Sequence, residues 1–168
     1  MSAARLERAA ASKSGYRLTP EYTAGMPRLG HGETVLVIDD DRDRLLREEE
    51  MLAALGYEPV GFANPDNALA ACRTAPQRFD AFLVGHLLPT ASTLALAAAL
   101  HEIAPDRPIL LAMASSGEIG ANALITAGIS EIVRSPLVAS EMAATLTECF
   151  AAPSKRSANY DSNANPQL

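Results

Sequence analysis

Residues 78–90 read RFDAFLVGHLLPT, and this stretch decides how the rest of the chain is interpreted. Its centre, AFLV at 81–84, is a short apolar run of the kind that forms a buried strand. In α/β sheets, functional side chains gather beyond the carboxyl ends of the strands. The residue that ends this run is Gly85, which has no side chain to offer.

Strands and helices alternate on both sides of this stretch. Apolar runs predict strands at 34–38, 57–62, 81–84, 109–113 and 131–134. Helical patterns lie between and after them, at about 42–55, from 65, around 96–103, at 117–127 and around 138–149. Pro59 favours an edge position for the second strand. This alternation predicts an α/β fold, with a parallel sheet covered on both faces.

The first and last helices have apolar stripes of different quality. In the helix at 42–55, Leu45, Leu52 and Leu55 are interrupted by Glu48 and Glu49. We therefore expect this helix to be less cleanly amphipathic than the others. The last helix is predicted to place four residues on one face: Val138, Met142, Leu146 and Cys149.

Charge divides the 168 residues into three parts with net charge −6 in total. Residues 1–30 carry net +3 and read as an arm or linker, while residues 152–168 read as a flexible polar tail. The folded domain is expected at 31–151, and residues 31–150 carry net −10. So acidic a domain repels phosphate backbones, which disfavours nucleic-acid binding.

The cellular setting is predicted from cysteine usage and apolar run length. Cys72 and Cys149 have no partner at metal-site spacing, so both are expected to be buried thiols in a reducing compartment. The longest apolar runs, such as 108–114, are too short to cross a bilayer. These features predict a soluble, cytoplasmic protein without membrane insertion.

Three consecutive aspartates, 39–41, follow the first predicted strand. Carboxylates packed at a strand end need a cation to offset them, usually a divalent metal, unless they are merely solvated. The triplet alone leaves both interpretations open.

The order and spacing of five segments narrow the choice. They are GETVLVIDDD (32–41), LGYEPVGF (55–62), RFDAFLVxxxLP (78–89), RPILL (107–111) and AGISEIVRSPL (127–137). Together they resemble the receiver domain of bacterial two-component signalling, most closely the receivers attached to hybrid sensor histidine kinases. The resemblance covers about 31–150 and implies a flavodoxin-like, doubly wound (βα)5 fold with sheet order 2-1-3-4-5.

The resemblance also assigns positions to the family's chemistry. Asp39 and Asp40 match the acidic pair that holds Mg²⁺, and Pro136 matches the proline after the fifth strand. Other positions do not match: the phosphoacceptor aspartate falls on Gly85, the hydroxyl on Met113, the lysine on Ser135 and the aromatic switch on Ile132. We therefore expect no cofactor and at most weak Mg²⁺ binding at Asp39 and Asp40.

These replacements predict a degenerate receiver, or pseudo-receiver, that is not an enzyme. Glycine cannot form an acyl phosphate, methionine donates no hydrogen bond, and serine brings no positive charge. Asp80 lies at the other end of its strand and cannot stand in for the acceptor. His86, in the following loop, was weighed as a substitute acceptor or metal ligand, but a solvated histidine is the simpler interpretation.

The predicted function is that of a phosphorylation-independent interaction module in bacterial signal transduction. Receivers typically bind partners through the fourth helix, fifth strand and fifth helix. The exposed polar candidates there are Glu118, Asn122, Glu131, Arg134 and Glu141. The expected partner is a protein, either a histidine kinase or a second copy of the chain.

Two alternatives belong to other functional classes. The first is a structural accessory subunit that docks on a larger complex through its basic arm and polar tail. The second is a phosphatase of the DxD type, with Asp39 as nucleophile and Asp41 as general acid. That family also needs a lysine, and residues 31–150 contain none.

Overall fold

A five-stranded parallel sheet forms the centre of the fold, in the order β2-β1-β3-β4-β5. The computed structural model describes residues 29–85, 87, 89–114 and 119–151. The strands are β1 (Thr34–Ile38), β2 (Glu58–Phe62), β3 (Ala81–Gly85), β4 (Ile109–Met113) and β5 (Glu131–Arg134). This is the predicted α/β fold with its predicted sheet order, and β2 lies at an edge as Pro59 indicated.

Helices connect the strands, and a short 3-10 turn at Pro76–Arg78 precedes β3. Within the described residues they are α1 (Arg42–Ala54), α2 (Pro65–Thr74), α3 (Thr90–Ile103), α4 (Ala121–Thr126) and α5 (Ala139–Ala151). None of them is long and apolar enough to cross a membrane.

Local signals in the sequence fix the ends of α1 and α2. The Asp41 side chain accepts a hydrogen bond from the Arg44 amide at 3.1 Å and so caps α1. That helix stops before Gly56, whose φ of 95° is a left-handed conformation that glycine adopts without strain. Asn64 caps α2 by accepting from the amide of Asp66 at 2.7 Å, with Pro65 at the first helical position.

The two faces of the sheet carry separate apolar cores because successive side chains of a strand point to opposite faces. Leu36 and Ile38 of β1 pack with α2, α3 and α4, whereas Val35 and Val37 pack with α1 and α5. Buried apolar residues on both faces are typical of a parallel sheet covered by helices.

Three details of the sequence interpretation are wrong. The fourth helix begins at Ala121 rather than 117, because Gly120 is extended and Ile119 turns into the core. Val138 precedes α5 and is 47% exposed, so it does not share the buried face of Met142. Cys149 is only half-buried, since it lies in the last turn of α5.

Parallel register brings the carboxyl ends of the strands together. Ile38 pairs with Val84, and Gly85 pairs with Ala112 on the next strand. The carboxyl ends of β1, β3, β4 and β5 therefore lie side by side at one end of the sheet. Asp80 lies at the opposite end of the sheet, just before β3, where its Oδ2 accepts a hydrogen bond from the Thr34 amide at 2.8 Å.

Candidate functional site

Asp39 is the first residue after β1 and its side chain is fully buried. Its amide donates to the carbonyl of Phe62 on the neighbouring strand at 3.1 Å. Its Oδ1 accepts a hydrogen bond from the Asp41 amide at 2.7 Å. A buried carboxylate without a cation would be strongly unfavourable, so the identity of its counter-ion decides the chemistry of the site.

The counter-ion is Arg44, in the first turn of α1. Its Nε lies 2.5 Å from Asp39 Oδ2 and its Nη2 lies 2.8 Å from Oδ1. The guanidinium therefore holds the carboxylate through two parallel, charge-assisted hydrogen bonds. It also lies 3.8 Å from Asp40 Oδ1 and 3.6 Å from Asp41 Oδ2. One arginine thus faces all three consecutive aspartates.

The pKa values of Arg44 and Asp41 shift in opposite directions. The hydrogen bond to Asp39 raises the pKa of the Arg44 guanidinium above its ordinary value. The hydrogen bond from the Arg44 amide lowers the pKa of Asp41. Both shifts favour the charged forms of Arg44 and Asp41.

Gly85 ends β3 directly beside this pair. A Cβ atom at position 85 would lie 2.6 Å from Asp39 Oδ2 and 3.0 Å from its Cγ. The first distance is below the limit of non-bonded contact and the second is at it, so a side chain at position 85 would require the Asp39 carboxylate to shift together with Arg44, which holds both of its oxygens. The Asp39 side chain thus occupies, in its present position, space that a side chain at residue 85 would also need.

A small cavity of about 150 Å³ remains next to Gly85. It is lined by Asp39, Arg44, Gly85, Ala112, Ala114 and Ser135. Met113 does not line it: the Met113 side chain is buried in the core that α2, α3 and α4 cover. The amide of Ser135 donates to the carbonyl of Met113 at 2.9 Å, which fixes the loop after β5 against the end of β4.

Glu48 lies one helical turn after Arg44. Like Arg44, it was not assigned to the site from the sequence. It is only 3% exposed, and neither of its carboxylate oxygens has a hydrogen-bond partner within the described residues. Burial and the nearby negative charge of Asp39 raise the pKa of Glu48 to about 7. It appeared in the sequence only as an interruption of an apolar stripe.

Comparison with known proteins agrees with this architecture. No protein-family model matches the sequence, but solved structures do resemble it. A CheY-like receiver domain from Methanospirillum hungatei matches with a TM-score of 0.65 and 19% identity, over 74% of this chain and 98% of the other. A response regulator from Thermotoga maritima gives 0.63 and 18%, over 71% and 98%.

The chain has the receiver-domain fold. A candidate pilus assembly protein from Burkholderia thailandensis shares it, with a TM-score of 0.63 and 17% identity, over 71% of this chain and 98% of the other. The fold therefore occurs among the neighbours in proteins named for assembly as well as for signalling.

The residues at this receiver-fold site do not fit a divalent metal. Mg²⁺ takes oxygen ligands at near-octahedral positions, but both Asp39 oxygens are held by Arg44 and Gly85 has no side-chain oxygen. The Asp40 side chain is 58% exposed and lies beside the same guanidinium. Among the described residues, no group of three or more histidines, cysteines or acids is arranged to hold a metal.

Four of the five predicted interaction residues belong to the described part of the chain. Asn122, Glu131, Arg134 and Glu141 are exposed, and Glu118 lies outside the described residues, as do His86 and the segments 1–28 and 152–168. A groove of about 690 Å³ passes between the end of β4, β5 and α5. It is lined by Met113, Ala114, Ile132, Val133, Arg134, Glu141, Ala144 and Thr145.

Arg44 was the main omission of the sequence analysis, although a signal for it exists. The aspartate triplet is compatible with either a cation or solvation, and a positively charged side chain lies three to five residues further along the same segment. With Asp41 as the helix cap, Arg44 falls in the first turn and can reach back to the strand end.

Proposed function

We propose that this chain is a receiver-fold module that binds a protein partner without being phosphorylated, in bacterial signal transduction. Gly85, Met113 and Ser135 stand where the fold's phosphoacceptor, hydroxyl and lysine are expected. None of the three can perform the corresponding step. Signals would then arrive through binding, tethering or abundance rather than through an acyl phosphate.

The ion pair between Asp39 and Arg44 is the observation that carries this proposal. Loss of an acceptor alone would leave a vacant pocket with an acidic pair still able to take Mg²⁺. Here the carboxylate of Asp39 is turned against Gly85 and neutralised by a side chain of the same domain. The geometry supports a site that has been converted to a structural role.

The surface formed by α4, β5 and α5 supports binding of a protein. Arg134 and Glu141 line its groove together with Ile132 and other apolar groups. Ile125, on α4, is 73% exposed, which is unusual for so large an apolar side chain. Charged groups around an apolar centre are the usual composition of a specific protein interface.

The candidate pilus assembly protein of Burkholderia thailandensis is consistent with such a use. It is named for assembly, and it has the same fold over nearly its whole length. This likeness supports a role in which the domain docks onto other proteins. It does not identify the partner of this chain.

Phosphoryl transfer is tested directly with radiolabelled acetyl phosphate and Mg²⁺. We expect no covalent label on the purified chain, while an active receiver domain treated in parallel becomes labelled. Stable label on the chain, mapped to any residue, would refute phosphorylation independence.

Partner binding is tested by affinity capture followed by mass spectrometry. Arg134→Glu and Glu141→Arg reverse the charges on the groove, whereas Arg47→Glu reverses an exposed charge on α1 and serves as the control. We expect the groove variants to lose a specific protein that the wild type and the control retain. Equal recovery by all variants would contradict the assignment of this surface.

The opposite charge of the terminal arm favours a second candidate, an accessory subunit that docks through its ends. Residues 1–30 carry net +3 beside an acidic domain, so they could lie along another acidic protein. Deleting residues 1–30 or 152–168 would abolish capture under this hypothesis. Under the first proposal, capture would depend on the groove instead.

A DxD phosphatase has less support. Its nucleophile would be Asp39, which is buried and held by two hydrogen bonds from Arg44, and its general acid would be Asp41, which caps α1. Neither carboxylate is free to attack or protonate a substrate. With para-nitrophenyl phosphate and Mg²⁺, we expect no turnover above an Asp39→Asn control.

A further inference from the structure

The acidic loop after β1 contains its own cation. Arg44 lies within 4 Å of Asp39, Asp40 and Asp41, and it is held most closely by Asp39. A divalent ion that used the buried Asp39 carboxylate would need the oxygens that Arg44 already holds. The two cations therefore compete for the same pair of oxygens.

The geometry favours the guanidinium. Its Nε and Nη2 match the two carboxylate oxygens one to one, which is the planar arrangement that arginine provides and an ammonium group does not. The carboxylate is fully buried and the arginine side chain is 34% exposed. A metal bound by Asp39 would have to displace these two bonds.

The absence of a side chain at Gly85 leaves room for the ion pair between Asp39 and Arg44. A side chain there would collide with Asp39 Oδ2, so the ion pair and the glycine depend on each other. A metal site would need the reverse: an oxygen ligand at position 85 and a carboxylate free of arginine.

We infer that Arg44 is a built-in counter-ion that takes the place of a divalent cation at Asp39 and keeps metal out of the site. The inference stands on this geometry whether or not the chain binds a partner. The site would then have the same charge state at every physiological metal concentration, and the domain would be insensitive to Mg²⁺.

The wild-type chain provides the first test. In NMR spectra, the Nε–H resonance of Arg44 should be protected and should remain unchanged when millimolar Mg²⁺ is added. Mn²⁺ should not broaden the amide resonances of residues 39–41 beyond those of other exposed acidic segments. Loss of the Arg44 signal on metal addition, or selective broadening at 39–41, would overturn the inference.

Arg44→Met removes the competing cation and provides the second test. We expect the dissociation constant for Mn²⁺ to fall by about tenfold or more, because a unit positive charge is removed within 4 Å of the ligands. Arg42→Met is the matched control, since Arg42 is exposed on the same helix turn. Asp39→Asn in the Arg44→Met background should abolish the gained affinity.

Unfolding of the variant would not leave the question open. If Arg44→Met is unfolded, Mn²⁺ or Mg²⁺ should restore its circular dichroism spectrum, because the metal then neutralises Asp39. A folded variant with no gain in affinity over the wild type, or an unfolded one that neither metal rescues, would refute the competition. These readouts involve neither phosphate nor a protein partner, so their failure is distinguishable from failure of the proposed function.

Discussion

Replacing Glu48 with glutamine should make the protein more stable at alkaline pH relative to the wild type. Glu48 is buried beside the Asp39–Arg44 pair, and its carboxylate oxygens have no hydrogen-bond partner within the described residues. Its pKa is raised from the ordinary value of 4.5 to about 7. Ionisation of this group is therefore more difficult in the folded chain than in the unfolded chain.

The magnitude follows from linkage between proton binding and folding. Each pKa unit corresponds to about 1.4 kcal/mol, so the raised pKa of Glu48 corresponds to about 3 kcal/mol. The folded state retains the proton to higher pH, so this stabilisation is complete below pH 4.5 and is lost as pH rises through about 7. Between about pH 5 and about pH 8 the wild type should lose about 2–3 kcal/mol from this group.

Urea unfolding followed by circular dichroism suits this chain, which has no tryptophan. The free energy of unfolding would be measured at several pH values for the wild type, Glu48→Gln and Glu50→Gln, the last removing an exposed carboxylate from the same helix. Because glutamine does not titrate, the difference between wild type and Glu48→Gln isolates one residue. An unpartnered amide has its own cost, but that cost is independent of pH.

Parallel pH profiles for the wild type and Glu48→Gln would refute the reasoning. Such a result would mean that the carboxylate is solvated or paired in solution. A pH-dependent difference of similar size for Glu50→Gln would mean that the effect is general to the helix. The expected result is divergence of the Glu48→Gln profile alone, with its steepest part between pH 4.5 and about 7.

Three further predictions concern other parts of the domain. Gly85→Asp should lower the free energy of unfolding by about 1–3 kcal/mol, and it should not produce labelling by acetyl phosphate. Gly120→Asp is the control, because a new Cβ at that position meets nothing within 4 Å, and it should be neutral or stabilising in thermal melts. Thr93→Val should destabilise by about 1–3 kcal/mol in urea unfolding, because the buried hydroxyl bridges a backbone N–H and C=O; unchanged stability would contradict this role. In the native state a thiol reagent should modify half-buried Cys149 before buried Cys72, whose pKa is raised by burial, and Cys149→Ser should remove the fast phase.

The fold could be predicted because its determinants are local and repeated. Short apolar runs, a proline in the edge strand and glycine or asparagine at helix ends each point to the same α/β architecture. The helix starting at Ala121 was predicted too early, since Gly117 and Gly120 weaken helix formation where apolar spacing alone suggests it. At the start of this helix and at Val138, packing in the fold decided the structure, and the apolar spacing in the sequence did not.

The site could be predicted only in part because side-chain pairing is not a local property. The sequence located Asp39 and Gly85 at neighbouring strand ends, and the register places them together. It did not indicate that Arg44 would reach back from α1, or that Glu48 would be buried without a partner. Both depend on how the helix rotates against the sheet, which residue spacing constrains only loosely.

The collision between a side chain at position 85 and the Asp39 carboxylate also has an evolutionary consequence. A single codon change that introduces an acidic residue at Gly85 would meet an occupied space and a second negative charge. Removing Arg44 first would leave a buried carboxylate uncompensated. Each single substitution at position 85 or 44 therefore passes through a less stable chain, and this cost would preserve the pairing of Gly85 with Arg44 in descendants even without selection for a function of the site.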